Sequence, residues 1–280
     1  MADTLGKTLI TGASGNTGAE ILKLFKAAGL PVWTADRKPS GPGSRKFDFM
    51  DPAAFTPAFS GIEKVFLVRP PAISDVKKYM FPAINAADKA GVKHIVLLSL
   101  QGADKNPVVP HRKLELYLMK QKMAWTFLRP SFFMQNLSTT HREEIKERNE
   151  IFVPAGKGKT NFIDVRDLAL AAFKTLTEPG HENKAYELTG TQSLTYYEIA
   201  DILTAVLKRK ITYKSPTALQ FFIRKLKEKQ PIGYALITSI LYSVSALGMA
   251  AGTTDEFYKL TGKQPIEFRQ FAEDFKAVWQ

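Results

Sequence analysis

Up to Pro130 the chain alternates two kinds of apolar pattern. Short runs rich in aliphatic and β-branched residues are followed by longer stretches whose apolar residues recur at helical spacing. Strands are predicted at Lys7 to Thr11, Pro31 to Ala35, Arg45 to Phe49, Val65 to Val68, Lys93 to Ser99 and Trp125 to Leu128. Helices are predicted at Thr17 to Ala28, stopped by Gly29, at Ala53 to Phe59, at Asp75 to Ala90, ended by Gly91, and at His111 to Lys122. The run from Pro39 to Ser44, rich in Pro, Gly and Ser, is a loop. Strands feeding helices in this regular order build a doubly wound parallel sheet of Rossmann type, an α/β fold.

Beyond Pro130 the pattern loosens. Asn161 to Val165 and Ala185 to Leu188 read as strands around a helix from Arg166 to Leu176, and from Thr195 onward only helices and one short strand, Lys210 to Tyr213, are expected. The expected division is a Rossmann domain over 1–189, with some segments after 150 shared, and a smaller, mostly helical lobe over 190–280.

Gly12, Gly15 and Gly18 follow the first strand and open the first helix with the spacing G-x-x-G-x-x-G, within Thr11-Gly12-Ala13-Ser14-Gly15-Asn16-Thr17-Gly18. Gly12 permits the tight turn, Gly15 lets backbone approach a pyrophosphate, and Gly18 lets the helix pack close to the strand. The amides at the helix start then face the anion. Gly12, Ala13, Ser14, Gly15, Asn16, Thr17 and Gly18 are therefore candidate contacts to a dinucleotide. At the end of the second strand, Asp36 could accept from the free 2′-hydroxyl of NAD, whereas Arg37, with Lys38 beside it, pairs with the 2′-phosphate of NADP. NADP(H) is the preferred reading and NAD(H) the alternative. Asp48 and Phe49 follow the third strand, where they meet the adenine or simply make a strand-end turn. Arg69 and Pro70 close the fourth strand as the chain passes the cofactor, with Arg69 directed at a phosphate or at water.

A chain of 280 residues, 45% hydrophobic and 24% charged, can bury a substantial core as one large domain with an attached lobe. The absence of cysteine excludes disulfides, thiolate ligands and a thiol nucleophile. His94, His111, His141 and His181 lack ligand spacing, so no metal is expected. The first residues carry no signal-peptide pattern, which points to the cytoplasm. The most apolar stretch, Tyr234 to Ala251, is interrupted by Thr238, Ser239, Ser243, Ser245 and Gly248 and reads as a packed helix rather than a membrane span. The formal charge of +12 favours anionic ligands. Its densest groups, Lys208-Arg209-Lys210 and Arg224-Lys225 with Lys227 and Lys229, match no nucleic-acid motif and read as solvated helix faces. The expected partner is a small-molecule substrate, without nucleic acid or membrane, and the expected state is a monomer or homodimer.

A series of further stretches accompanies the glycine loop: Ala90-Gly91-Val92-Lys93-His94-Ile95-Val96-Leu97-Leu98-Ser99, Thr126-Phe127-Leu128-Arg129-Pro130 with Phe133 and Asn136, Phe162-Ile163-Asp164-Val165-Arg166-Asp167-Leu168-Ala169, Tyr186-Glu187-Leu188-Thr189-Gly190 and Leu194-Thr195-Tyr196-Tyr197-Glu198-Ile199-Ala200. In this order they resemble the NmrA-like branch of the atypical short-chain dehydrogenases, over almost the entire chain. That resemblance implies kinship with NAD(P)H-dependent quinone or azo-dye reductases, with ergot-alkaloid dehydrogenases, and with non-catalytic regulators that sense the nicotinamide pool. Arg129 through Asn136 to Val153-Pro154-Ala155-Gly156 is most similar to the alkaloid-dehydrogenase set.

Ordinary short-chain dehydrogenases pair a tyrosine with a lysine four residues later, which lowers the phenol's pKa for proton exchange. Here Tyr117 is followed at that spacing by Gln121. The family pattern instead puts the proton-donor position on His111, with Glu115 one helical turn on. An imidazole with an ordinary pKa could protonate a quinone oxygen or azo nitrogen, or hold a substrate oxygen, or simply cap and pack its helix. Ser99 touches the nicotinamide side or finishes its strand. Phe132, Phe133 and Asn136 resemble the family's wall beside the nicotinamide, and Tyr196, Tyr234 and Tyr242 are further candidates for lining a pocket. The expected function is NADPH-dependent reduction of a flat, conjugated quinone, azo or iminium acceptor. The alternative is a non-catalytic NADP(H) sensor that binds a protein partner, and sugar-nucleotide epimerisation is a weaker third.

Overall fold

Thr8–Thr11 buries all four of its residues, as a strand covered on both faces must. In a computed structural model, which describes residues 7–280, this strand (β1) lies inside a parallel sheet. The reading of the first six residues as lacking a leader falls outside the described residues. The other strands are Val32–Asp36 (β2), Ser44–Lys46 (β3), Lys64–Val68 (β4), His94–Leu98 (β5), Ala124–Pro130 (β6) and Lys184–Leu188 (β7), in the order β7-β6-β5-β4-β1-β2-β3. Each neighbouring pair is parallel. The strand order reverses direction beside β1, the place where doubly wound sheets bind ligands at their carboxyl ends.

Alternation along the strands divides the core. Leu9, Val65, Leu67, Ile95 and Leu97 join Phe55, Phe59, Ala83, Ile84, Ala87, Leu114 and Leu118 in one cluster. The latter come from helices Phe55–Phe59 (α2), Phe81–Lys89 (α4) and Pro110–Leu118 (α5), with α2 and α4 separated in the chain by Val76–Tyr79 (α3). Ile10, Phe66 and Val96, one residue out of phase and equally buried, turn to the opposite face. There Asn16–Ala27 (α1) packs on Val165–Thr177 (α6), with Phe25 edge-on to Phe173 at 5.1 Å. Each such aliphatic or aromatic side chain, once fully buried, contributes about 1.5–3 kcal/mol relative to exposure.

The parallel Rossmann-type sheet expected from the pattern is present, with several local differences. The helix expected from Asp75 to Ala90 is two helices, because Pro82 at the start of α4 has no N–H to continue the ladder and its ring collides with the preceding turn. The third strand stops at Lys46, and Phe47 and Phe49 turn into the core instead. α5 ends at Leu118, four residues short of Lys122. The stretch around Asn161 forms a strand, Thr160–Ile163, but in a separate small sheet, and the strand near Lys210 shortens to Thr212–Tyr213.

The chain divides into two units. The larger holds the described residues up to Pro130 together with Val165–Leu188 and Glu256–Lys263; the smaller holds Ser131–Asp164, Thr189–Asp255 and Gln264–Gln280. The smaller unit is thus assembled from three stretches, where the sequence pattern suggested a boundary near 189 with some segments after 150 shared. Phe132–Phe133 pairs with Phe162–Ile163, a two-residue strand too short to register in a hydrophobic pattern. Its core is aromatic: Phe162, Tyr196, Phe221, Tyr242, Phe268, Phe271 and Trp279 are all buried. Helices Tyr196–Leu207 and Ala218–Lys227 open with capping boxes, Thr195 with Glu198 and Thr217 with Gln220. Arg224 and Lys225, expected on a solvated face, instead meet buried or half-buried carboxylates: Arg224 contacts Glu150 at 2.7 Å and Lys225 contacts Glu144 at 2.8 Å. Lys227 and Lys229 are exposed as expected. Among the described residues no helix is long and apolar enough to cross a membrane.

Candidate active site

The glycine loop is held by its own backbone. Gly12 sits at φ +65°, a conformation that disfavours any residue with a Cβ, and its N–H donates to Ala35 of β2 at 3.2 Å. Gly15 N–H then donates to Gly12 carbonyl at 3.0 Å, closing the turn. A Cβ on Gly18 would stand 2.3 Å from that same carbonyl, so only glycine lets α1 start this close to β1. α1 begins with neither a side-chain cap nor an acidic residue in its first turn. Its first amides therefore lack a side-chain acceptor, as an anion site at a helix start requires, and Ser14, Gly15 and Asn16 are exposed there. A pyrophosphate fits this cradle.

Asp36 Oδ1 accepts from the Ser14 hydroxyl at 3.0 Å and from the Ser14 N–H at 3.3 Å, tying the end of β2 to the loop. Arg37 and Lys38 follow, exposed and without a protein partner among the described residues. The two unpaired cations beside an engaged carboxylate favour a phosphate over a hydroxyl at this corner. Asp48 and Phe49 make local contacts after β3. Asp48 Oδ1 accepts from Met50 N–H at 2.9 Å to close its own turn, and the buried Phe49 ring packs edge-on against Phe47 at 4.8 Å.

Thr11 couples the loop to β4: its hydroxyl donates to Phe66 carbonyl and accepts from Val68 N–H, both at 2.9 Å. Arg69 comes next in the chain. Instead of reaching a phosphate or water, its Nη1 donates to the carbonyls of Pro70, Pro71 and Ile73, and its Nε donates to His111 Nε2 at 3.3 Å. Pro70 therefore contributes a carbonyl to this clamp. Burial, with the Arg69 charge beside it, pushes the His111 pKa down to about 3. This departs from the ordinary imidazole pKa expected of the proton donor and favours the neutral ring of His111. Its Nδ1 is buried and has no partner among the described residues.

Ser99 finishes β5 by donating its hydroxyl to Glu115 at 2.7 Å, and so is bound to the protein. Glu115 is fully buried and also receives both Arg129 Nε and Nη2 at 2.9 Å and Arg112 Nη1 at 3.1 Å. Arg129 has a raised pKa, because the bonds and charge of Glu115 outweigh the opposing effect of burial. Arg129 as the counter-ion was not foreseen, although an arginine between Leu128 and Pro130 in an apolar strand signals a buried partner. Tyr117 faces away from all this: it stacks on Phe81 at 3.6 Å and donates to Asn85 at 2.6 Å. Gln121 donates to the Tyr117 carbonyl, so this helix holds no tyrosine–lysine pair aimed at a ligand.

In the smaller unit, Phe132 is half-buried against Phe162 and Tyr242, and Phe133 and Asn136 are also half-buried. Tyr196 and Tyr242 are core residues whose pKa burial raises, and only Tyr234 of those three tyrosines is exposed. His141 bridges Tyr242 at 2.6 Å and Glu144 at 3.1 Å. His94 meets Thr126 and His181 meets Tyr186, so among the described residues the four imidazoles are dispersed.

The NmrA-like family model matches residues 5–251. The chain is 34% identical to an NAD(P)H azoreductase of Xenophilus azovorans, over 97% of this chain and 98% of the relative. It is 35% identical to an agroclavine dehydrogenase of Claviceps fusiformis, over 97% and 98% respectively. Among solved structures, an NADPH-dependent quinone oxidoreductase of Escherichia coli, crystallised with NADPH, superimposes with a TM-score of 0.86 at 26% identity, over 98% of this chain and all of that one. The glycine loop, the parallel sheet and the series of motifs along the chain have one common explanation: this protein is a member of the NmrA-like family, among its NAD(P)H oxidoreductases.

Proposed function

We propose that the chain is an NADPH-dependent reductase of a flat, conjugated acceptor such as a quinone, an azo compound or an iminium. The observation that carries this reading is the Gly12 to Gly18 cradle with exposed, unpaired Arg37 and Lys38 at its rim. The named activities of an azoreductase, an agroclavine dehydrogenase and a quinone oxidoreductase among its relatives support it.

NADPH, when bound, supplies the hydride and its two electrons. The first amides of α1, from Asn16 to Gly18, hold the pyrophosphate, while Gly12, Ser14 and Gly15, whose N–H groups are already bonded within the protein, shape the turn; Arg37 with Lys38 holds the 2′-phosphate. Asp36 keeps the loop in shape through Ser14. Ser99 serves indirectly, by fixing Glu115. Because Tyr117 is turned toward Asn85, the protein lacks the usual device for interconverting alcohols and carbonyls, which favours acceptors that take hydride without a strong acid.

The test is a fluorescence titration with NADPH followed by steady-state NADPH oxidation against quinones, azo dyes and iminium compounds. Tight binding with turnover of at least one acceptor supports the reading. Binding without any turnover sinks the reductase and favours the cofactor sensor, whereas no binding sinks the site itself.

A further inference from the structure

His111 lies in the first turn of α5, and Arg69 directly follows β4. Val68, the last residue of β4, stands in van der Waals range of Gly12, where a Cβ would meet it at 3.8 Å. The Arg69–His111 pair is therefore on the same carboxyl edge of the sheet as the glycine loop, one residue from it along β4.

Proton accounting fixes the state of this imidazole. A guanidinium has five N–H donors and no acceptor, so the His111 nitrogen that Arg69 Nε addresses must carry a lone pair. That nitrogen is Nε2, and the single proton of the neutral ring consequently belongs to Nδ1. Arg69 cannot rotate away to release it, because its Nη1 is anchored on three carbonyls of its own loop. The result is one N–H donor, shielded from solvent and unmatched by any protein acceptor among the described residues. Buried donors are almost always paired, so an unpaired one calls for a partner from outside the protein, such as a water, an ion or a ligand atom.

We infer that Arg69 is a positioning residue that locks His111 as the Nδ1–H tautomer, so that Nδ1 presents one fixed hydrogen bond to an acceptor oxygen of a ligand bound at this edge. The lock itself stands on side-chain geometry; the identity of the ligand rests on the reductase reading above. A ring so held does not transfer its proton. It stabilises negative charge on the oxygen it touches, as an oxyanion-stabilising donor does, and it leaves protonation to water. Quinone oxygens fit this role. The other charged groups near the ring on its own helix, Arg112 and Glu115, bond each other, so Arg69 is the one charge acting on it.

The experiment is long-range proton–nitrogen NMR of the histidine rings in 15N-labelled protein, with His111 assigned by its loss in His111→Gln. The expected spectrum shows protonated Nδ1 and unprotonated Nε2, unchanged between about pH 5 and about pH 8, where an unperturbed histidine titrates. Arg69→Met should bring both tautomers into exchange, while burial continues to keep the ring neutral. A wild-type ring in the Nε2–H form, or one that titrates, overturns the lock, and so does an Arg69→Met ring that remains wholly Nδ1–H. Should Arg69→Met fail to fold, the wild-type spectrum alone decides. Quinone reduction, measured in parallel, separates the two readings. A locked ring with no turnover of any acceptor removes the reductase and keeps the lock, whereas turnover with a titrating ring removes the lock and keeps the reductase. His111→Gln should lower kcat about 100-fold with NADPH affinity unchanged.

Discussion

The glycine loop and the polar cluster running from Arg69 to Arg129 occupy the same edge of one sheet, but they are made differently. The loop consists of consecutive residues shaped by backbone stereochemistry: a positive φ at Gly12 and a helix start that tolerates no Cβ at Gly18. The polar cluster consists of two hydrogen-bonded groups, Arg69 with His111, and Ser99, Arg112 and Arg129 on Glu115, gathered from separate strands, loops and a helix. The first fails through a clash, the second through an uncompensated charge. They should accordingly break in different ways.

The largest effect belongs to the loop. Gly18→Val drives a side chain into the Gly12 carbonyl and should abolish NADPH binding, by more than about 100-fold, while also lowering the melting temperature. Gly15→Asp meets only that carbonyl at 3.3 Å and should remain folded by circular dichroism while losing NADPH as completely. Retained NADPH binding in Gly15→Asp would overturn the site.

Next comes the cluster. Glu115→Ala removes the buried carboxylate shared by Arg129 and Arg112, leaving Arg129 only Asp104 at 3.5 Å, and should cost about 3–5 kcal/mol, seen as a lower urea midpoint. Combining it with Arg129→Met should recover much of the loss. If the double variant is as unstable as the sum of the single ones, the charge argument is wrong.

The smaller unit offers a pH-dependent counterpart. Burial opposes ionisation of Glu144, but bonds and charge from His141 and Lys225 prevail and hold its pKa at about 2, below the usual 4.5. A carboxyl depressed in this way stabilises the fold fully above about pH 4.5, and that stability disappears as pH falls toward about 2. Its size is about 3 kcal/mol, from the conversion of pKa differences to free energy. Urea unfolding at a series of acidic pH values should show this decline, and Lys225→Met should flatten it. An unchanged slope in that variant would mean that Lys225 does not hold the carboxylate.

Two smaller changes complete the comparison. Arg37→Ala should weaken NADPH about tenfold and NADH hardly at all in parallel titrations; equal losses would remove the assignment of the 2′-phosphate. Gln121→Lys should change nothing, with no alcohol oxidation gained, because Tyr117 remains stacked on Phe81 and bonded to Asn85. Any alcohol dehydrogenase activity in that variant would show that the tyrosine can turn.

Much of the larger unit was legible along the chain because each part reports on itself locally. Four consecutive buried residues make β1, Gly29 and Gly91 stop helices, and the glycine spacing declares a phosphate turn. Legibility failed where a residue's environment is supplied from far away. For Ser99 and Phe49 the sequence left a ligand contact and a plain strand end both open, and only the fold supplies their partners, Glu115 for Ser99 and Phe47 for Phe49. Arg224 and Lys225 looked solvated because their carboxylate partners, Glu150 and Glu144, are some seventy to eighty positions earlier.

By itself, the sequence determined a parallel α/β sheet, the dinucleotide turn with its cationic rim, and the missing lysine at Gln121, since these depend on period, backbone conformation and residue identity. Only the tertiary structure decided that the smaller unit is built from three stretches, that Glu115 neutralises Arg129, and that His111 is a neutral donor oriented by Arg69. The reason is physical. A backbone turn is fixed by neighbours along the chain, whereas the charge and proton position of a buried side chain are set by whichever groups the fold brings within hydrogen-bond reach.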